Sequence, residues 1–194
     1  MKRIILCVLV ILVMMTGQAA LSESAATTGP APLAEMTVTS AAIIDGALGL
    51  PYGAKGEQFV EEFIPSLSPP LTVCDIPEGA IALAITMIDP DGGDWIHWLA
   101  ANIPVEDATC EIPENASIDW PEEIIQGIND FGTVGYGGPT PPSGVHHYVI
   151  TVYALPEMLD LEVGFKLSEM QELLTIINLF AANFQLNDAR DNSR

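Results

Sequence analysis

Gly135-Tyr-Gly-Gly-Pro-Thr-Pro-Pro-Ser-Gly-Val-His-His-Tyr-Val-Ile-Thr-Val-Tyr-Ala-Leu155 joins a glycine- and proline-rich half to a β-forming half. Glycines in the first half let backbone or ligand approach closely, while Pro139, Pro141 and Pro142 stiffen the same loop and remove donors. From His147 onward the residues are aromatic and β-branched, which is strand composition. Strand side chains alternate, so His146 and Tyr148 share one face and His147 takes the other. The expectation is a rigid loop feeding a strand, with a histidine and a tyrosine forming one wall of a polar pocket.

Other segments repeat this grammar. Ile81-Ala-Leu-Ala-Ile-Thr-Met-Ile88 is a short apolar run suited to a buried strand, and Asp89-Pro-Asp-Gly-Gly93 is a sharp turn. Trp95-Ile-His-Trp-Leu-Ala-Ala-Asn-Ile103 reads as a further strand closed by Pro104, and Met36 to Ala41 as the first. Residues 46–63 read as a long loop, and an irregular acidic stretch is expected to hold one helical turn near Glu122. Ser168 with Gln171 suggests a capping box. Leu173, Leu174, Ile176, Ile177 and Phe180 continue at helical spacing, which predicts a C-terminal amphipathic helix. Short strands, Gly/Pro turns and little helix predict a mainly β chain, an antiparallel two-sheet β-sandwich with short peripheral helices.

The start reads as an export signal. Lys2 and Arg3 precede the unbroken apolar run Ile4 to Met15, and Gly17-Gln-Ala19 supplies small residues for cleavage. The run is short for a bilayer core of ~30 Å, so no stable membrane span is expected once it is cleaved, and an uncleaved leader would anchor the chain. The expected organisation is a signal peptide at 1–20, a Ser/Ala/Pro-rich tether at 21–34, a domain at 35–186 and a tail at 187–194. The expected location is periplasmic or extracellular.

Only four basic residues outside the leader, Lys55, Lys166, Arg190 and Arg194, face 26 acidic ones. Such a field repels nucleic acid, which is excluded as a partner, and any anion site must act locally against it. Cys74-Asp-Ile-Pro-Glu78 and Cys110-Glu-Ile-Pro-Glu114 are alike, and an even pair in an exported chain allows a disulfide; two buried free thiols are the alternative. Asn115-Ala-Ser117 has the spacing of a glycosylation acceptor, a frequent chance match.

The candidate chemistry lies at strand ends: Asp89 and Asp91 around Pro90, His97, and His146. Histidine donors, a tyrosine hydroxyl and loop amides can hold an anion. Dense metal-ligand spacings and a Gly-x-Ser-x-Gly nucleophile turn are missing, and Ser143 has no base partner legible in sequence. No catalytic residue, metal or cofactor is therefore assigned, and a metal-dependent phosphoester hydrolase built on the histidines and aspartates is kept only as the least favoured alternative.

Asp89-Pro-Asp-Gly-Gly-Asp-Trp-Ile-His-Trp-Leu-Ala-Ala-Asn-Ile-Pro104 resembles the first conserved block of the phosphatidylethanolamine-binding protein family. Asn129-Asp-Phe-Gly132 and the stretch Gly135 to Leu155 resemble the second, in the bacterial and archaeal branch often labelled Raf kinase inhibitor-like. Ser68-Pro-Pro-Leu71 and Ile76-Pro-Glu-Gly79 fit earlier strands, and the similarity runs from about Met36 to Phe184. It implies a two-sheet antiparallel sandwich with a small pocket for phosphate or phosphorylated head groups. It also implies site residues: Asp89 and Asp91 as the acids, Trp95 and His97 from the first block, Gly138, Pro139, Pro141 and Pro142 at the rim, and His146 and Tyr148 from the second block. Some members inhibit kinases or peptidases, so a protein target is the alternative partner. His147 stands where relatives commonly carry arginine, and Gln185-Leu-Asn-Asp188 replaces a frequent Gly-x-Tyr ending.

Overall fold

The computed structural model describes residues 35–177 and 180–187. The expected leader at 1–20, the tether at 21–34 and residues 188–194 of the expected tail lie outside the described residues. In chain order the strands are β1 (Thr37–Thr39), β2 (Ile43–Ile44), β3 (Ala47–Leu48), β4 (Phe59–Val60), β5 (Ile64–Pro65) and β6 (Leu71–Cys74). They continue as β7 (Ala82–Asp89), β8 (Trp95–Pro104), β9 (Thr109–Ile112), β10 (Ile125–Gln126), β11 (His147–Leu155) and β12 (Phe180–Asn187). Among the described residues two α-helices interrupt them, α1 (Ala116–Asp119) and α2 (Leu167–Ile176), with a short 3-10 turn at Leu50–Tyr52.

The large sheet has seven strands in the order β10-β8-β7-β11-β12-β3-β2, and a three-stranded sheet runs β1-β6-β9. Pairing is antiparallel apart from a short parallel contact of β12 with β3 through Asn187 and Ala47. The mainly β, antiparallel sandwich expected from sequence is the observed architecture. One core joins Val38, Leu71, Val73 and Ile112 of the small sheet to Leu83, Ile85, Met87, Trp98 and Ile150 of the large one. A second packs Ala84, Leu99 and Ala101 on the opposite face against Leu159, Phe165 and Met170, the last on α2. Both faces of β7 are thus covered, which explains its unbroken apolar run.

Three sequence expectations need correction. The helix stops at Ile176, because Ile177 is extended (φ −90°, ψ 145°), and Phe180 opens β12 rather than continuing α2. β12 pairs along β11 from His147 to Ala154, and that pairing outweighs the local helical spacing. The helix begins after Lys166 rather than with a Ser168–Gln171 box: the Lys166 amide donates to Glu169 Oε2 at 2.7 Å. The short helix of the acidic stretch lies at Ala116–Asp119, ahead of Glu122.

Of the two alternatives for Cys74 and Cys110, a disulfide and two buried free thiols, the structure has free thiols, each half-buried. Cys110 stands opposite Val73 and Cys74 opposite Thr109, on adjacent strands. Successive residues face opposite ways, so Cys110 shares the core face of Val73 while Cys74 points to the other side. Both thiols are free. The glycosylation match is engaged in the fold: Asn115 donates to Asp119 at 2.9 Å and accepts from Gln58 at 2.6 Å, and Ser117 is buried. Among the described residues no helix is long and apolar enough to cross a membrane.

Candidate functional site

β7, β8 and β11 are neighbours in the large sheet, and one cavity opens where β7 ends and β8 and β11 begin. β7 ends on Asp89, buried at 4% exposure. The turn closes over its carboxylate: the Gly92 amide donates to Asp89 Oδ1 at 2.8 Å. A side chain at Gly92 would meet Asp89 Oδ2 at 2.8 Å, so glycine is required by close approach.

β8 carries a bulge beside the site. Met87 pairs with Trp98 but Ile88 pairs with Ile96, leaving His97 as the extra residue. His97 and Trp98 therefore both turn toward the inter-sheet side, while Ile96 and Leu99 pack on the α2 side. His97 is buried, and its Nδ1–H donates to the Gly137 carbonyl at 2.6 Å while the Gly137 amide donates to the His97 carbonyl at 2.8 Å. Because a carbonyl only accepts, Nδ1 carries the proton. Burial lowers the imidazole pKa below its ordinary value, opposed by the Gly137 carbonyl and the charges of Asp89 and Asp130.

Aromatic rings hold His97 from two sides. Tyr148 meets it edge-to-face at 5.1 Å and Phe131 at 5.6 Å, and Phe131 in turn meets Trp95 at 5.5 Å. Phe131 is placed by the buried Asn129, whose Oδ1 accepts from the amides of Phe131 at 3.0 Å and Thr133 at 3.2 Å.

The start of β11 supplies the opposite wall. His146 Nδ1–H donates to Asp89 Oδ2 at 2.6 Å, and Tyr148 is fully buried on the same face. His147 takes the other face, as alternation requires. It is exposed, and both its amide and its Nδ1–H donate to Asp91 Oδ2, at 2.8 and 2.6 Å. These hydrogen bonds hold the Asp91 carboxyl below the usual carboxylate range.

The cavity is about 560 Å³, within the ~300–1,000 Å³ of small-molecule sites. The expected residues Asp89, Asp91, Trp95, His97, Pro141, Pro142, His146 and Tyr148 line it. Gly138 and Pro139 do not. They are buried against an earlier segment, where the Gly138 amide donates to Pro65 O at 2.8 Å and Pro139 O accepts from Ala54 N at 2.9 Å. A side chain at Gly138 would stand 2.2 Å from Tyr52 O, so its smallness serves packing of that segment rather than the rim. Sequence reasoning missed Gly92, Phe131 and Thr140 as lining residues, although Phe131 lies within the quoted Asn129–Gly132 motif. Among the described residues the lining holds no lysine or arginine. Ser143 is exposed and outside the lining. Among the described residues no group of three or more His, Cys, Asp or Glu side chains is placed to hold a metal ion.

Comparison with known proteins bears on the family and the fold. The family model described as phosphatidylethanolamine-binding protein matches residues 39–187. A UPF0098 protein of Pyrococcus abyssi is 39% identical over 143 residues, 63% of this chain and 80% of that protein. YxkA of Bacillus subtilis is 42% identical over 132 residues, 60% of this chain and 77% of that protein. The crystal structure of Escherichia coli YbcL, titled a member of the mammalian PEBP family, superposes with a TM-score of 0.68 at 30% identity, covering 81% of this chain and all of that one.

Proposed function

The chain belongs to the phosphatidylethanolamine-binding protein family, and from that premise we propose that it is an exported binding protein whose pocket holds phosphate or a phosphorylated head group. The observation that carries the reading is the convergence of His97, His146 and Tyr148 from β8 and β11 on one partly buried cavity. The Tyr148 phenol donates to an oxyanion, while His97 and His146, whose Nδ1–H groups are given to Gly137 and Asp89, meet it through Nε2, which accepts from a hydroxyl of the anion when the ring is neutral and donates when it is protonated; low local dielectric strengthens each bond. Asp89 orients His146 through Nδ1 and balances imidazolium charge when an anion enters. Support for export is the Lys2-Arg3 pair and the apolar run that follows. We assign no reaction to the site: His97 is committed through Nδ1 to Gly137, and Ser143 lies outside the lining.

The test is histidine-resolved NMR during titration with phosphate and O-phosphoethanolamine. His97 and His146 are expected to shift together while His147 stays still. Absence of movement in both at millimolar ligand would falsify the reading.

A further inference from the structure

We propose that the pocket selects oxyanions that carry a proton, so that its ligand class is inorganic phosphate or a phosphate monoester rather than a sulfate or a phosphodiester. The proposal rests on the anion-pocket reading above and adds the hydrogen-bonding sense of the wall.

That wall is rich in acceptors. Asp89 receives one hydrogen bond from Gly92 on Oδ1 and one from His146 on Oδ2. A carboxylate has about four acceptor positions, so two are filled. Asp91 likewise receives two, both from His147. His97 gives its Nδ1 proton to Gly137, so the neutral ring presents only a lone pair at Nε2. Burial favours that neutral form. The remaining polar lining among the described residues consists of the Thr140 and Tyr148 hydroxyls, the Trp95 indole and the His146 imidazole, which gives its Nδ1–H to Asp89 and so donates through Nε2 only as imidazolium; no lysine or arginine is among these residues.

A proton-free oxyanion sets lone pairs against the lone pairs of Asp89, Asp91 and His97. An oxyanion with one hydroxyl turns the same contact into a charge-assisted hydrogen bond, while its other oxygens meet the donors. Phosphate monoesters keep such a proton below their second pKa of about 6. Sulfate esters and phosphodiesters have none to give at the same pH.

The deciding experiment is calorimetric titration of the full chain at about pH 5, below that second pKa. There O-phosphoethanolamine, 2-aminoethyl sulfate and glycerophosphoethanolamine each carry one negative charge on the acid group, and only the first carries the proton. Inorganic phosphate and sulfate form the parallel pair, and the glycerol diester separates a lipid head-group source from free phosphate or its monoesters. The monoester is expected to bind about tenfold or more tightly than either proton-free ester, and phosphate likewise over sulfate. Equal binding across the series overturns the proposal and leaves the anion pocket standing; no binding by any of the five removes both. Asp89→Asn, which replaces an acceptor oxygen by a donor, is expected to narrow the gap by raising sulfate-ester affinity. Asp91→Asn, at a more exposed position, is the second variant. An undiminished gap in both overturns the assignment to the acidic wall.

Discussion

Asp89 and His146 lie 57 positions apart in sequence, yet the imidazole Nδ1 sits 2.6 Å from the carboxylate. Asp91 and His147 repeat the arrangement two and one residues further on, but in solvent. One turn thus holds two consecutive histidines by two carboxylates: Asp89 and His146 both line the cavity, while Asp91 lines its exposed edge and His147 lies outside the lining.

The two pairs should respond differently to truncation. Asp89→Ala leaves the Gly92 amide and the His146 Nδ1–H without their acceptor in a buried setting, at a cost of about 3 kcal/mol. His147→Ala removes an exposed, solvent-screened pair and should leave both the unfolding midpoint and ligand affinity essentially unchanged. Urea unfolding of both variants checks the contrast.

His97 makes stability depend on pH. Its folded pKa lies below the unfolded one, so between the two values the unfolded chain binds more protons. Stability is therefore full above the unfolded value of about 6.5 and declines as pH falls from there toward the folded pKa, below which this contribution levels off. His97→Gln should flatten that part of the profile in a series of urea melts between pH 7 and about pH 4.5. A His97→Gln profile as steep as that of the unmodified chain would assign the slope to other groups.

Gly138 and Gly144 sit in the same loop and should differ sharply on substitution. Alanine at Gly138 places Cβ 2.2 Å from Tyr52 O and 2.8 Å from Pro65 Cβ, and should cost about 3 kcal/mol. Gly144 has φ +77° with open space around it, so alanine there costs only the backbone preference, about 1–2 kcal/mol. Thermal melts of the two single variants give the comparison directly.

Cys74 and Cys110 should both be alkylated in denaturant without reductant. In the folded state Cys110 should react slowly, because burial and the nearby Glu111 push its thiol pKa up. Mass spectrometry showing a Cys74–Cys110 bridge would contradict the opposite-face placement.

Much of the site was legible because strand alternation is a strong local rule. It separated His146 and Tyr148 from His147, and the family blocks placed Asp89 and His97 beside them. Composition pointed to a stiff Gly135–Gly144 loop but not to what it packs on, so Gly138 and Pro139 were put at the rim when they face the segment of Tyr52, Gly53 and Pro65. Phe131 was not picked out because its position depends on the Asn129 side chain, which reorders the local backbone. The Phe180 segment failed for another reason: helical spacing is local, whereas β11 needs a neighbour that sequence distance hides. Cysteine pairing likewise depended on sheet register, which similar flanking residues do not report.

The extra residue at His97 separates two inheritances along a single strand. Up to His97, the side chains on the inter-sheet face of β8 answer to whatever enters the cavity; from Trp98 onward they answer to the sandwich interior. A change of ligand can therefore be written into Trp95 and His97 without shifting the phase of Trp98 and Ala100. Deleting the extra residue would return β8 to plain alternation, with Trp95, Trp98 and Ala100 still on the inter-sheet face, and would remove only the imidazole that the bulge adds to the pocket wall.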